Sequence, residues 1–67
     1  MNKPNTLNIG VKVQITPYYP DPTLRGRNGI VIALPDKEHR DEYLVRLVDG
    51  PSRGRPVWVS IGFLQVT

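Results

Sequence analysis

The chain has 67 residues, no cysteine and a net charge of +3 at neutral pH. Its length allows one domain with a small core, and without cysteine neither disulfides nor thiolate metal sites can reinforce that core. A hydrophobic content of 39% with 22% charged residues is typical of a globular chain. The basic excess permits an acidic partner such as nucleic acid, and solubility alone would explain it equally well.

The first eight residues are polar and include Pro4, which predicts a flexible N-terminal tail at 1–8 and one folded domain at 9–67. Residues 1–10 contain no apolar segment of the kind found in signal peptides. The longest apolar run, at 29–34, is too short to span a bilayer. We therefore expect a cytoplasmic protein that does not associate with membranes.

Five short strands are predicted along the chain, and no segment has helical periodicity. The first has alternating apolar and polar residues, and the others are rich in β-branched and aromatic residues. The predicted strands are 11–15, 29–34, 42–48, 56–60 and 64–66. A proline-rich loop at 17–28 follows the first strand, and a single 3-10 turn precedes the last. This order predicts an all-β fold, a single five-stranded SH3-like barrel with a long loop after strand one.

The predicted core of this barrel takes one face of each strand, together with Leu24 from the long loop. Its members are Val11, Val13, Ile15, Leu24, Ile30, Ile32, Leu34, Val45, Leu47, Val57, Val59, Phe63 and Val66. The face that the third strand turns inward is less clear, because both of its faces are apolar apart from Arg46.

The segments 10–13 and 24–31 resemble the opening of SH3-like and KOW-type modules, which begin "G-x-x-V-x-V" and continue into "G-x-x-G-x-V". The ending at 57–66 looks like the final strand, turn and strand of these modules. KOW modules bind RNA or protein, so the resemblance implies that this chain also binds one of the two. The fold alone does not determine a function.

The layout of residues 11–31 is also similar to two stand-alone SH3-like chains that support ferredoxin chemistry. These are the small peripheral subunit of photosystem I and the variable chain of ferredoxin–thioredoxin reductase. Plasmid-encoded type II dihydrofolate reductases are a third comparison, but their Val-Gln-Ile-Tyr motif is missing. The penultimate strand reads Val-Trp-Val-Ser at 57–60 instead.

The tripeptide Arg-Gly-Arg occurs twice, once in each of the two turn-rich breaks of the chain. These copies hold Arg25, Arg27, Arg53 and Arg55, four of the nine basic residues. If the second and third strands pair antiparallel, both copies lie at one end of the barrel. Guanidinium groups bind phosphates and carboxylates bidentately, so the four arginines are the candidate anion-binding or nucleic-acid-binding residues. The alternative is that both copies are ordinary turns whose arginines are simply solvated.

Three aromatic residues form a candidate contact surface: Tyr18, Tyr19 and Trp58. Alternation in the fourth strand points Trp58 away from the core, where it could contact a partner or be covered by Pro17, Pro20 or the N-terminal tail. Tyr18 and Tyr19 are adjacent and cannot both point inward. One of them is expected to pack within the loop.

Catalytic sets are missing from the sequence: there is no Ser-His-Asp or Cys-His group, no metal-ligand cluster and no phosphate loop. His39 lies in a charged turn and is expected to be solvated. We therefore expect a non-catalytic binding module without cofactor or metal, most simply one that contacts nucleic acid, RNA more than DNA. The alternative is an accessory subunit of a larger complex, which binds a protein partner through the long loop and Trp58. Oligomeric state is left open.

Overall fold

The computed structural model of the protein describes residues 7–67, which form one antiparallel sheet of five strands. The strands are β1 (Lys12–Ile15), β2 (Asn28–Ala33), β3 (Glu42–Leu47), β4 (Pro56–Ser60) and β5 (Leu64–Val66). A 3-10 turn, Ile61–Phe63, connects β4 to β5. The all-β prediction is confirmed, and every predicted strand is present to within one residue at either end. Within residues 7–67, no helix is long and apolar enough to cross a membrane.

The strand order across the sheet is β4-β3-β2-β1-β5, and β4 and β5 form its two edges. The predicted closure into a barrel is not observed, since β4 and β5 do not pair with each other over the described residues. The 3-10 turn joins the two edge strands to each other. At its start the Ile61 N–H bonds to the Asp41 carbonyl, and at its end the Phe63 carbonyl accepts from the Thr16 N–H. The chain thus passes from one sheet edge directly to the other, and β4 and β5 follow one another instead of lying side by side.

One face of the sheet is buried, and the core lies against it. The fully buried side chains are Val13, Ile15, Val31, Val45, Leu47 and Val59, and Leu24 from the long loop joins them. The prediction that Leu24 attaches the long loop to the core is therefore confirmed. Val11, Val57 and Phe63, which were also predicted, are partly buried and pack against this cluster.

The predicted inward face of the second strand is wrong. Gly29 and Val31 face the core, while Ile30 and Ile32 are only half-buried and Leu34 is exposed. The pairing of Val31 with Val45 fixes this orientation, and a register shift between Val31 and Ala33 changes the pairing beyond it. Because almost every residue from 29 to 34 is apolar, alternation could not distinguish the two faces.

Two further differences concern the ends of the sheet. Val66, predicted in the core, is 64% exposed because it lies on the short edge strand β5. Tyr43 and Leu7 were not predicted in the core but are buried there, and the Leu7 N–H donates to the Tyr43 hydroxyl at 3.1 Å. Leu7 was assigned to the predicted tail at 1–8, most of which lies outside the described residues.

The burial of Leu7 predicts that the N-terminal segment contributes measurably to stability. We expect Leu7→Ala to lower the free energy of unfolding by about 2 kcal/mol, since truncating a buried leucine leaves a cavity. The matched control is Ile9→Ala, because Ile9 is 62% exposed and should cost little. Urea unfolding of both variants measures this difference. Equal stability of the two variants would show that Leu7 contributes nothing.

Candidate functional site

The two Arg-Gly-Arg copies occupy structurally equivalent positions, each next to the last residue of a core strand. Gly26 donates its N–H to the Ile15 carbonyl, and the Ile15 N–H donates to the Arg27 carbonyl. In the second copy Gly54 and Arg55 make the same two hydrogen bonds with Leu47, at the end of β3. In each copy two residues therefore stand opposite one, which is the pattern of a β-bulge that begins with glycine.

The bulge geometry explains why each copy of the tripeptide has glycine at its centre. Gly26 and Gly54 have φ angles of +73° and +86°, in the left-handed region that side chains disfavour. Nothing in this backbone geometry requires arginine on either side of the glycine. The bulge backbone alone therefore does not explain why four arginines flank the two glycines. We refer to Arg25, Arg27, Arg53 and Arg55 together as the arginine edge.

Direct contacts join the two loops that carry the arginine edge. The Asn28 backbone N–H and its Nδ2 both donate to the Asp49 carboxylate, at 3.1 and 2.8 Å. The Arg27 side chain passes so close to Gly50 that a Cβ there would lie 2.7 Å from Arg27 Nε. The Val48 N–H also donates to the Asn28 carbonyl. The predicted juxtaposition of the two loops at one end of the sheet is therefore observed.

Two aspartates lie among the arginines, and each is near one arginine from each loop. Hydrogen bonds from the Asn28 side chain and backbone lower the pKa of Asp49, and the charges of Arg27 and Arg53 lower it further. Hydrogen bonds from the Thr23 hydroxyl and N–H lower the pKa of Asp21, with help from Arg55 and Arg25. Both carboxylates are therefore ionised at neutral pH, and they reduce the net charge of the site from +4 to +2.

The four guanidinium groups differ in how they are held. Arg25 Nε donates to the Tyr19 carbonyl, and its Nη2 reaches the Pro20 carbonyl at 3.3 Å. Arg27 is half-buried and donates from Nε to the Thr23 carbonyl. Arg53 and Arg55 are exposed, and their side chains form no hydrogen bond or ion pair within residues 7–67. One loop thus holds its arginines in place, while the other presents two free guanidinium groups.

The three aromatic candidates do not form one surface. Tyr19 packs edge-on against Phe63, with ring centroids 5.3 Å apart, while Tyr18 is 79% exposed. The prediction that one of the two tyrosines packs within the fold is confirmed. Trp58 lies on the outer face of β4, as alternation predicted, but it is half-buried and pairs with Leu44 of β3. Within the described residues its ring makes no contact with the ring of either tyrosine.

His39 covers Trp58, which corrects the prediction that this histidine is simply solvated. The imidazole stacks on the indole with ring centroids 3.8 Å apart and an interplanar angle of 6°. From the sequence, Trp58 either contacts a partner or is covered by Pro17, Pro20 or the N-terminal tail, and His39 is solvated. Instead Asp36 accepts from the His39 N–H and lies 3.1 Å from its Nδ1, which orients the ring. The charged turn at 34–41 is therefore fastened to β4.

This stack predicts a fluorescence signal, because Trp58 is the chain's one tryptophan. We expect His39→Ala to increase the rate of acrylamide quenching of Trp58 about twofold and to lower stability by roughly 1 kcal/mol, as for other stacked ring pairs. Lys37→Ala, in the same turn, is the control. Quenching that is equal in the two variants would mean that the stack does not shield Trp58.

The lowered pKa of Asp49 predicts that acid weakens the contact between the two arginine loops. Its pKa lies below the ordinary value of 3.8, so its contribution to stability is present above about pH 4 and is lost as the pH falls through the lowered pKa. We expect Asp49→Asn to lower Tm at pH 7 and to reduce the fall in Tm between pH 5 and 2.5. Glu38→Gln is the control, because the Glu38 side chain accepts no hydrogen bond from residues 7–67. An unchanged acid dependence in Asp49→Asn would contradict the prediction.

Sequence reasoning missed two features near this site. One is the pair of glycine bulges, which the repeated tripeptide could have suggested. The other is a shallow depression of about 380 Å³ on the outer face of the sheet, beside the arginine edge. Pairing between strands creates it, so no local motif signals it. Among residues 7–67, no three His, Asp or Glu side chains lie together in a way that could hold a metal ion.

Comparison with models of protein families, with curated proteins and with solved structures found no match to this chain.

Proposed function

We propose that the protein is a non-catalytic nucleic-acid-binding module that binds the phosphates of single-stranded RNA, in preference to DNA, at the arginine edge. The observation that carries the proposal is the joining of two equivalent glycine bulges, which brings four arginines together and leaves Arg53 and Arg55 exposed without a hydrogen bond within residues 7–67. Arginine binds phosphate bidentately, and Arg53 and Arg55 are free to do so. We further propose that the sheet is a variant of the SH3-like architecture, which its strand order and 3-10 turn support.

The long loop favours a single strand over a duplex. Tyr18 is exposed in the same long loop as Arg25 and Arg27, and a free phenol ring can stack on an unpaired base. A paired base would not be accessible to it.

The test is a fluorescence anisotropy titration of a labelled single-stranded RNA 12-mer. Four phosphate contacts predict a slope of roughly −3 in log K against log salt, so binding should weaken by about fiftyfold between about 50 and 200 mM salt. The same RNA as a duplex, and a DNA duplex, should bind more weakly. Absence of binding at the lower salt concentration would overturn the proposal.

The second candidate is an accessory subunit that binds an acidic protein through the long loop. The exposure of Tyr18 beside the arginine edge favours it, because exposed tyrosine and arginine are enriched at protein interfaces. Trp58 supports this candidate less than the sequence suggested, since His39 covers it. Loss of a co-purifying partner in Tyr18→Ala, with RNA binding intact, would favour this function over the first.

A further inference from the structure

A depression lies on the outer face of the sheet, next to the arginine edge, and none of the four arginines lines it. It lies over the paired residues Val13 and Gly29, both of which face the core, so that only their backbone forms its floor. The walls are the outward side chains of the neighbouring rows. They are Lys12, Asn28, Ile30, Val48 and Thr67.

The lining of the depression is mostly apolar and accessible to solvent. Val48 is 42% exposed, and Ile30 is half-buried. Exposed apolar surface that is shaped into a concavity is characteristic of binding sites. An apolar part of a ligand could therefore replace water between Ile30 and Val48.

The charges around the depression select the kind of ligand. Lys12 forms one wall of the depression. Arg46 lies next to Ile30, because the two residues pair across β2 and β3. No acidic residue lines it. A second copy of this chain would bring these cations against their own counterparts, and an apolar peptide would leave them unpaired. A flat apolar group attached to an anion satisfies both the walls and the cations.

Asn28 connects the depression to the arginine edge. It lines the depression, follows Arg27 directly, and donates from its Nδ2 to Asp49 between the two arginine loops. That hydrogen bond leaves the Asn28 Oδ1 as an acceptor that forms no bond within residues 7–67. A strand whose phosphates lie on the arginine edge would thus have an adjacent nucleotide at the depression.

We infer that the depression holds an unpaired base of the same nucleic acid whose phosphates bind the arginine edge. This inference rests on the proposed function and deepens it. The base packs between Ile30 and Val48, Asn28 Oδ1 can accept from a base N–H, and Lys12 attracts the neighbouring phosphate. Recognition of this kind requires a base that is free of its stack, so it adds selectivity for single strands.

The experiment compares a uridine RNA 12-mer with an abasic ribose-phosphate 12-mer, which has the same backbone charge. We expect the wild-type protein to bind the uridine strand about tenfold more tightly. The variant Ile30→Thr/Val48→Thr keeps β-branched residues in place while removing apolar wall, and it should bring uridine affinity down to that of the abasic strand. Ile9→Thr, at an exposed apolar position outside the depression, is the control.

The outcomes separate the two proposals. Equal wild-type affinity for both strands, or no effect of the double variant, would overturn the base site and leave the arginine edge standing. Binding of neither strand would overturn both proposals, and displacement of the uridine strand by polyglutamate as effectively as by unlabelled RNA would assign the face to an acidic protein instead. If the double variant does not fold, Val48→Thr alone, at its exposed position, should still reduce the preference for uridine about threefold.

Discussion

Changing Arg25, Arg27, Arg53 and Arg55 together to glutamine is expected to weaken single-stranded RNA binding by about a hundredfold and to flatten its salt dependence. Glutamine keeps much of the side-chain length and removes the charge, so the bulges themselves should be unaffected. The loss follows because these four groups supply the phosphate contacts, and phosphate contacts supply most of the affinity of such complexes. Anisotropy titrations at several salt concentrations measure both quantities.

A matched control separates the arginine edge from general charge. The pair Lys37→Gln/Arg40→Gln removes two positive charges from the turn at the opposite end of the β2–β3 hairpin, and it should change affinity by less than about twofold. The pair Arg53→Gln/Arg55→Gln removes the same charge from the edge and should cost about tenfold or more. If the two pairs lose affinity equally, binding reflects net charge alone and the edge is not a site.

Gly29→Ala is expected to destabilise the fold by about 2 to 3 kcal/mol, a loss that would lower Tm by roughly 10 to 20 °C in a domain of this size. Gly29 faces the core, and a Cβ there would clash with Val45 Cγ1 and lie 2.8 Å from the Arg46 carbonyl oxygen. A side chain can move aside, but the Arg46 carbonyl belongs to the paired strand β3. Relief of the clash therefore requires the two central strands to separate.

Gly62→Ala provides the control for this prediction. Gly62 is exposed in the 3-10 turn, and a Cβ there would meet no atom within 4 Å. This variant should unfold within about 0.5 kcal/mol of the wild type, because surface substitutions of this kind have small effects. Thermal unfolding of both variants by circular dichroism tests the difference. Equal stability would mean that the close packing of β2 against β3 is not essential.

The strands were predictable because their patterns are local. The alternation at 11–15 and the turn residues between segments fix where each strand begins and ends. The inward face of the second strand was not predictable, since its apolar residues fit either face and the register shift after Val31 is set by pairing with β3. The lack of pairing between β4 and β5 in the described residues was not predictable, because it depends on how distant segments meet and not on a local pattern.

The candidate site was predictable only in part. Antiparallel pairing of the second and third strands was enough to place the two arginine loops together, and the structure has them so. The stack of His39 on Trp58 could not be foreseen, because it joins a turn to a strand 19 residues later. The same holds for the depression, whose walls come from four separated segments and whose floor exists because Val13 and Gly29 both face inward.

The most direct test of the arginine edge is an NMR titration of the ¹⁵N-labelled protein with single-stranded RNA. We expect amide and arginine Nε shifts to move together at residues 23–28 and 49–55, with one apparent affinity. Residues 36–41 and Trp58 should stay unchanged and serve as internal controls. Shifts confined to one loop, or centred on Trp58, would contradict a single anion-binding site built from both loops.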